Sequence, residues 1–177
     1  MEQDQPIPDI AFKSMKLSYK ARDWLKPREI ILSEVPLKPG DTVLDFGCGP
    51  GSYTFILSKI VGPQGKVVAL DIHPLAIKHV ENMVSRRGIQ NVVTVQSDCD
   101  TGLDDNSVDV ILLFDIFHMF HDPNRILREL YRVLKDEGVL SFNDPNMNEQ
   151  NIISGVTGPG LFKLSGQGEY TYTFQKT

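Results

Sequence analysis

Apolar and polar positions along the chain alternate between two spacings, one of two residues and one of three to four. "DTVLDF" is a short apolar run that stops where glycines begin, which predicts a buried strand. Tyr53, Ile56, Leu57 and Ile60 then recur at helical spacing until Gly62-Pro63 ends them. "KVVALDI" follows as a second strand, β-branched and apolar. Pro74 opens a second helix with Ala76, Val80, Met83 and Val84 on one face and Gly88 beyond its end. "NVVTVQS" predicts a third strand in which Val93 and Val95 alternate against polar neighbours. The longest apolar run, "SVDVILLFD", predicts a central strand covered on both faces. Asp122-Pro123 offers an N-cap and a first-position proline for a helix striped by Leu127, Leu130, Tyr131 and Leu134. Gly138 then admits a fifth strand, "GVLSFND". A short helix near Asn148 to Val156 precedes two more strands, "LFKLS" and "EYTYTFQK", joined by a tight "GQG" as an antiparallel hairpin.

Strands alternating with helices predict an α/β fold, a doubly wound and mostly parallel sheet with the hairpin as its antiparallel edge. No internal repeat, low-complexity segment or linker divides the chain, so one domain is expected. At 177 residues it can bury a sizeable core, and its composition (41% hydrophobic, 23% charged) is that of a soluble globular protein. A net charge of -5 argues against general nucleic-acid binding. One segment departs from that balance: Lys13, Lys16, Lys20, Arg22, Lys26 and Arg28 face a single acid, Asp23. It is either a solvated helix face or a rim that attracts an anionic substrate. Cys48 and Cys99 are too few and too far apart for a disulfide framework or a zinc site, so no metal is expected. Both are read as reduced, in the cytoplasm. "MEQDQPIPDI" is no signal peptide, and no apolar run is long enough to span a membrane.

The chemistry concentrates in "VLDFGCGPGSYTF". Glycines at 47, 49 and 51, between a strand and a helix, let the backbone turn sharply and press against a ligand outside the carboxyl ends of the strands. The dinucleotide fingerprint would place a glycine where Ser52 stands, and a pyrophosphate sits poorly beside Asp45. Asp45 suits a ligand end carrying a cation, such as an amino-acid ammonium, which S-adenosylmethionine supplies. Asp71 ends the second strand, where a carboxylate can accept hydrogen bonds from ribose hydroxyls. Asp98 ends the third, in reach of an adenine amino group, with Cys99 beside the ring. Each acid alone could be a cap or turn residue. Together, at three successive strand ends, they describe a site for a cationic nucleoside.

With these residues in view, the chain resembles the class I S-adenosylmethionine-dependent methyltransferases, especially the compact small-molecule group that includes ubiquinone and menaquinone biosynthesis methyltransferases. "VLDFGCGPG", "VVALDIHPLAI", "SDCDTGLDDNSVDVILLFDIFH" and "ILRELYRVLKDEGVLSFND" are similar to that family's motifs, in order. The resemblance implies a Rossmann-like sheet of seven strands in the order 3-2-1-4-5-7-6, with S-adenosyl-L-methionine as cofactor and S-adenosyl-L-homocysteine as its product. It assigns the cofactor to Asp45, Gly47, Cys48, Gly49, Gly51, Tyr53, Asp71, Ile72, Asp98, Cys99, Phe114 and Asp115. It also implies that residues 1–36 form a partly helical lid over a cofactor-binding domain of residues 37–177.

Methyl transfer needs positioning above all, and a base only where the acceptor carries a proton. His118 is the candidate catalytic residue, as a base or as a holder of an acidic substrate group; the alternative is a histidine that only packs or caps. His73 is expected on the adenosine side, His121 at the surface, and Asp144 at the border of the substrate space or simply in a turn. Tyr19 falls in the lid, and Trp24 either stacks on a substrate ring or packs in the core. The short stretch between the fifth strand and the hairpin leaves no room for an inserted cap. Either the N-terminal segment completes the substrate pocket or a second subunit does, which leaves a homodimer open. Two other readings stand beside transfer to a small-molecule acceptor: a cofactor-binding regulatory subunit without activity, and a nicotinamide-dependent oxidoreductase. Arsenite as acceptor would need a thiol cluster that two cysteines in the cofactor loops do not supply.

Overall fold

The computed structural model describes residues 5–12 and 28–177. Seven strands form one sheet: β1 (Thr42–Phe46), β2 (Lys66–Asp71), β3 (Val92–Gln96), β4 (Val108–Phe114), β5 (Leu134–Asn143), β6 (Phe162–Gln167) and β7 (Tyr172–Lys176). Their order is β3-β2-β1-β4-β5-β7-β6, with β1 to β5 parallel and β7 antiparallel to both β5 and β6. This is the doubly wound sheet that the alternation of elements predicts, in the Rossmann-like strand order that the resemblance implies.

Consecutive residues of a strand point to opposite faces, so a strand with helices on both sides is apolar throughout. β4 is the central case. Ile111 and Leu113 pack under the helices Pro123–Val133 and Glu149–Thr157, and Val110, Leu112 and Phe114 under Thr54–Val61 and Arg28–Leu32; Val108 joins the first side because the register shifts between Val108 and Val110. The helix Pro74–Arg87 opens on proline and ends on Gly88 in the left-handed conformation, as read. Asp122 caps the helix Pro123–Val133 by accepting the N–H of Arg125 at 3.0 Å.

Four local expectations are corrected. Val93 is exposed, because β3 is an edge strand and only Val92 and Val95 reach the two cores. Leu134 is not on a helical stripe but begins β5, opposite Val108; Ile126 and Val133 fill the stripe instead. The fifth strand thus starts before Gly138, and a side chain at that glycine would press on the Asp109 carbonyl oxygen of the neighbouring strand. The hairpin does not turn at "GQG": Gly166 and Gln167 lie inside β6 beyond a register shift, and Gly168 closes the turn by donating its N–H to the Thr171 oxygen at 2.8 Å.

Of the basic run, Lys13, Lys16, Lys20, Arg22 and Lys26 lie outside the described residues, as do Tyr19 and Trp24. Arg28 is described, and it is neither solvated nor on a rim. It is 5% exposed, and its Nη1 donates to the Tyr53 hydroxyl at 2.9 Å.

Glu34, just beyond the helix Arg28–Leu32, ties the start of the described chain to its end. Its carboxylate accepts the N–H groups of Glu169, Tyr170 and Thr171 at 2.8–3.2 Å and the Thr171 hydroxyl at 3.0 Å. Burial alone would push the carboxyl up, but the Tyr170, Thr171 and Glu169 bonds outweigh it and hold it below the ordinary carboxylate value. Glu34→Ala should therefore cost about 2–3 kcal/mol, read as a lower urea midpoint. Because the folded value is depressed, the contribution is present above the unfolded glutamate value and fades as pH falls through the folded one.

Candidate functional site

The carboxyl ends of β1, β2 and β4 surround a cavity of about 780 Å³ of empty space. β1 leads into a loop in which Gly47, Gly49 and Gly51 all hold positive φ, at 78°, 52° and 82°. A Cβ on Gly47 would collide with the Ile116 side chain, so the loop lies against the opposite wall with nothing to spare. Gly47, Cys48 and Gly49 line the cavity. Gly51 does not: it faces Phe55 and Val80 behind the loop, where its N–H closes a turn to the Cys48 oxygen at 2.9 Å.

Two carboxylates form the floor. Asp45 is 3% exposed and accepts the Thr54 hydroxyl at 2.6 Å. Burial, opposed by the Thr54 hydroxyl and reinforced by the negative charge of Asp71, pushes its carboxyl up to about 6. Asp71 is 8% exposed and accepts the N–H of Gly49 at 2.8 Å and that of His73 at 2.7 Å. Burial raises its carboxyl too, and these two N–H groups and His73 counter part of the rise. Among the described residues, no Lys or Arg lines this cavity. Two buried carboxylates without a facing cation suit a positively charged ligand and oppose a pyrophosphate.

Tyr53, Phe114, Asp115 and Ile72 complete the walls. Tyr53 meets Phe114 edge to face at 5.1 Å between centroids, with the Arg28 guanidinium 5.3 Å from the Tyr53 ring centre. Asp115 bends the chain at φ 59°, a left-handed conformation for a residue with a side chain. His73 caps the helix Pro74–Arg87: its Nδ1 accepts the Leu75 N–H at 3.1 Å, and Phe12 stacks on its ring at 4.4 Å. Its Nε2 then carries the hydrogen and is buried without a hydrogen-bond partner among the described residues, with Asp9 Oδ1 at 3.7 Å.

An adjoining space of about 470 Å³ shares Gly47, Asp71, Ile72 and Ile116 with the first and extends past Ser97, Asp98 and Phe120. Asp98 lines this space but is already paired: Arg125 donates to its two oxygens at 2.8 and 3.4 Å. Cys99 is a correction. The Ser97 hydroxyl accepts its N–H at 3.2 Å, turning the side chain inward to the core at 1% exposure, so Cys99 lines neither space. His118 lines neither space; it pairs with Asp144.

Several wall residues carried no signal of their own. Gln5, Ile7 and Phe12 reach the cavity from a segment without periodicity, and Ile116 and Met119 from the irregular turn after β4. Thr54 reads from sequence as a helix opener, and its hydroxyl contact with Asp45 follows only from the fold. In the ligand-free protein the raised Asp45 carboxyl has a thermodynamic signature. As pH rises from about 4 to about 6 the unfolded chain releases this proton first, so folding stability falls across that window. Asp45→Asn should remove about 2–4 kcal/mol of that fall, measured as the difference in urea unfolding between variant and wild type.

A family described as methyltransferase domain matches residues 37–176. The demethylmenaquinone methyltransferase of Geobacillus stearothermophilus is 31% identical over 119 residues, which are 67% of this chain and 51% of that protein. The chloroplastic 2-phytyl-1,4-beta-naphthoquinone methyltransferase of Arabidopsis thaliana is 32% identical over 125 residues, 68% of this chain and 48% of that one. The chain thus spans about half the length of the curated relatives it matches. The crystal structure of a SAM-dependent methyltransferase from Aquifex aeolicus is similar at a TM-score of 0.82 and 29% identity, covering 97% of this chain and 98% of that one.

Proposed function

The chain belongs to the methyltransferase-domain family, and from that membership we propose that it transfers a methyl group from S-adenosylmethionine to a small-molecule acceptor. The observation that carries this reading is the pair of buried carboxylates, Asp45 and Asp71, in a cavity that no Lys or Arg lines among the described residues. Bound there, S-adenosylmethionine supplies a methyl group already activated on a positively charged sulfur.

The chain's own residues hold the two ends apart. Asp45, beside the glycine loop, takes the ammonium, and its Thr54 bond fixes the carboxylate's orientation. Asp71 accepts the ribose hydroxyls on lone pairs that its Gly49 and His73 bonds leave over. Ile72 packs on the adenine, and Asp98 accepts its amino group while Arg125 holds the carboxylate still. Tyr53, Phe114 and Asp115 enclose the methionine end, and Gln5, Ile7 and Phe12 close the outside as a lid, excluding water from the reaction. The lid and the domain from residue 37 are thus one working unit.

The substrate belongs to the same reading. The relatives' names point to quinones, and the aromatic and apolar wall of Phe114, Ile116 and Met119 suits a flat acceptor of that type. No described helix is long and apolar enough to cross a membrane. Both cysteines are free, and burial pushes the Cys48 and Cys99 thiols up, which keeps them protonated and unreactive.

Calorimetry with S-adenosylhomocysteine tests the proposal. Micromolar binding is expected, with Asp71→Ala weakening it about 10- to 100-fold. Absence of binding at high micromolar concentration, or equally tight binding of NADH, would overturn it.

A further inference from the structure

We infer that His73 is a positioning residue that fastens residues 5–12 over the cofactor cavity, through Phe12 stacked on its ring and Asp9 facing its Nε2, and that bound cofactor draws this latch tight. The inference rests on the proposed cofactor site and adds to it the way that site is closed.

Residues 9–12 form one helical turn, in which the Phe12 N–H donates to the Pro8 oxygen at 3.0 Å. The turn has an outer and an inner side. Ile10 is 80% exposed, whereas Phe12 is 3% exposed and lies on the His73 ring, with centroids 4.4 Å apart and planes inclined by 29°. Asp9 stands three residues before Phe12 and so falls on the same helical face. Its Oδ1 is 3.7 Å from His73 Nε2. A single turn of helix thus brings an aromatic ring and a carboxylate to one imidazole.

The imidazole has a hydrogen to offer there. Its Nδ1 accepts the Leu75 N–H, which leaves the ring hydrogen on Nε2. That nitrogen is buried and has no hydrogen-bond partner among the described residues. A buried donor left unpaired costs free energy, and a carboxylate that reaches it recovers the cost. The Asp9 side chain is mostly exposed, and an approach of about 0.5–1 Å would bring it within hydrogen-bond distance of Nε2. The latch is stacked and not yet bonded.

His73 also joins the closing segment to the floor of the cavity. Its backbone N–H donates to Asp71, the carboxylate assigned to the ribose, at 2.7 Å, while its ring carries Phe12. Gln5, Ile7 and Phe12 line the cavity, so a ligand meets them only while residues 5–12 lie over it. Ligand and latch therefore favour the same closed arrangement, and each strengthens the other by the same factor. Cutting the latch lowers the closed fraction, and apparent affinity falls with it.

Hydrogen exchange and ring-nitrogen NMR on the full chain, with and without S-adenosylhomocysteine, test this. His73 should be the Nε2–H tautomer, and the Phe12 amide should exchange about 10-fold more slowly once the ligand is bound. Asp9→Ala, at an exposed position, should speed that exchange in both states. It should also raise the dissociation rate of S-adenosylhomocysteine about 3- to 10-fold with the urea midpoint unchanged. His73→Asn keeps a side-chain oxygen for the Leu75 N–H but removes the ring, and should speed the Phe12 exchange further. An Nδ1–H tautomer, or an Asp9→Ala protein that exchanges and releases ligand as the wild type does, overturns the latch. A wild type that binds S-adenosylhomocysteine without slower exchange at Phe12 overturns the coupling to cofactor. Failure of the wild type to bind S-adenosylhomocysteine would instead defeat the cofactor reading, and the ligand-free exchange of Asp9→Ala would still decide the latch.

Discussion

The site depends on the bonds that Asp71 accepts from the backbone. One carboxylate, at the end of β2, receives the N–H of Gly49 from the loop after β1 and the N–H of His73 at the start of the next helix. It therefore fixes two strand-to-helix turns at once, and it does so from inside a cavity where charge is costly. The glycine loop can come close enough because its residues adopt conformations that a side chain would forbid. Asp45 adds a second buried charge within electrostatic reach of the first. Two like charges held out of water destabilise the ligand-free protein and are relieved by a cation, so the fold carries its preference for ligand sign as stored repulsion.

The order of layers follows from how the chain treats that edge of the sheet. At the carboxyl ends of β1, β2 and β4, glycine, aspartate and a left-handed Asp115 replace the apolar residues of the strand interiors. Arg28 and Tyr53 back one wall of the cavity with a buried cation over an aromatic ring. The stiff core lies beneath, and irregular backbone lies above it, where a ligand must enter.

Element types and the strand-end acids were legible because they arise from local period and from position along a strand. "SVDVILLFD" could hardly be other than a central strand, and Asp45 and Asp71 fall where two neighbouring strands stop. What sequence spacing could not show is direction. Cys99 follows Asp98 immediately, yet one bond to the Ser97 hydroxyl turns it into the core. Asp98 reads as open to a ligand until the fold brings Arg125 to it from another element. Arg28 looks like one more basic residue in a charged run and is among the most buried polar groups. Leu134 fits a helical stripe and is a strand residue, because pairing with Val108 overrides local period there. Every miss but Cys99, whose partner Ser97 is two residues away, concerns a partner distant in sequence.

The Glu34 tether has a consequence for how the cavity could open. The groups it grips, Glu169 to Thr171, lie 135 to 137 residues from it, in the turn before β7. The helix Arg28–Leu32, which carries Arg28 to Tyr53, is anchored through Glu34 to that turn and not to the central strands. Local release of the turn would therefore free the support behind Tyr53 while the parallel strands stay paired, so this wall can loosen without global unfolding.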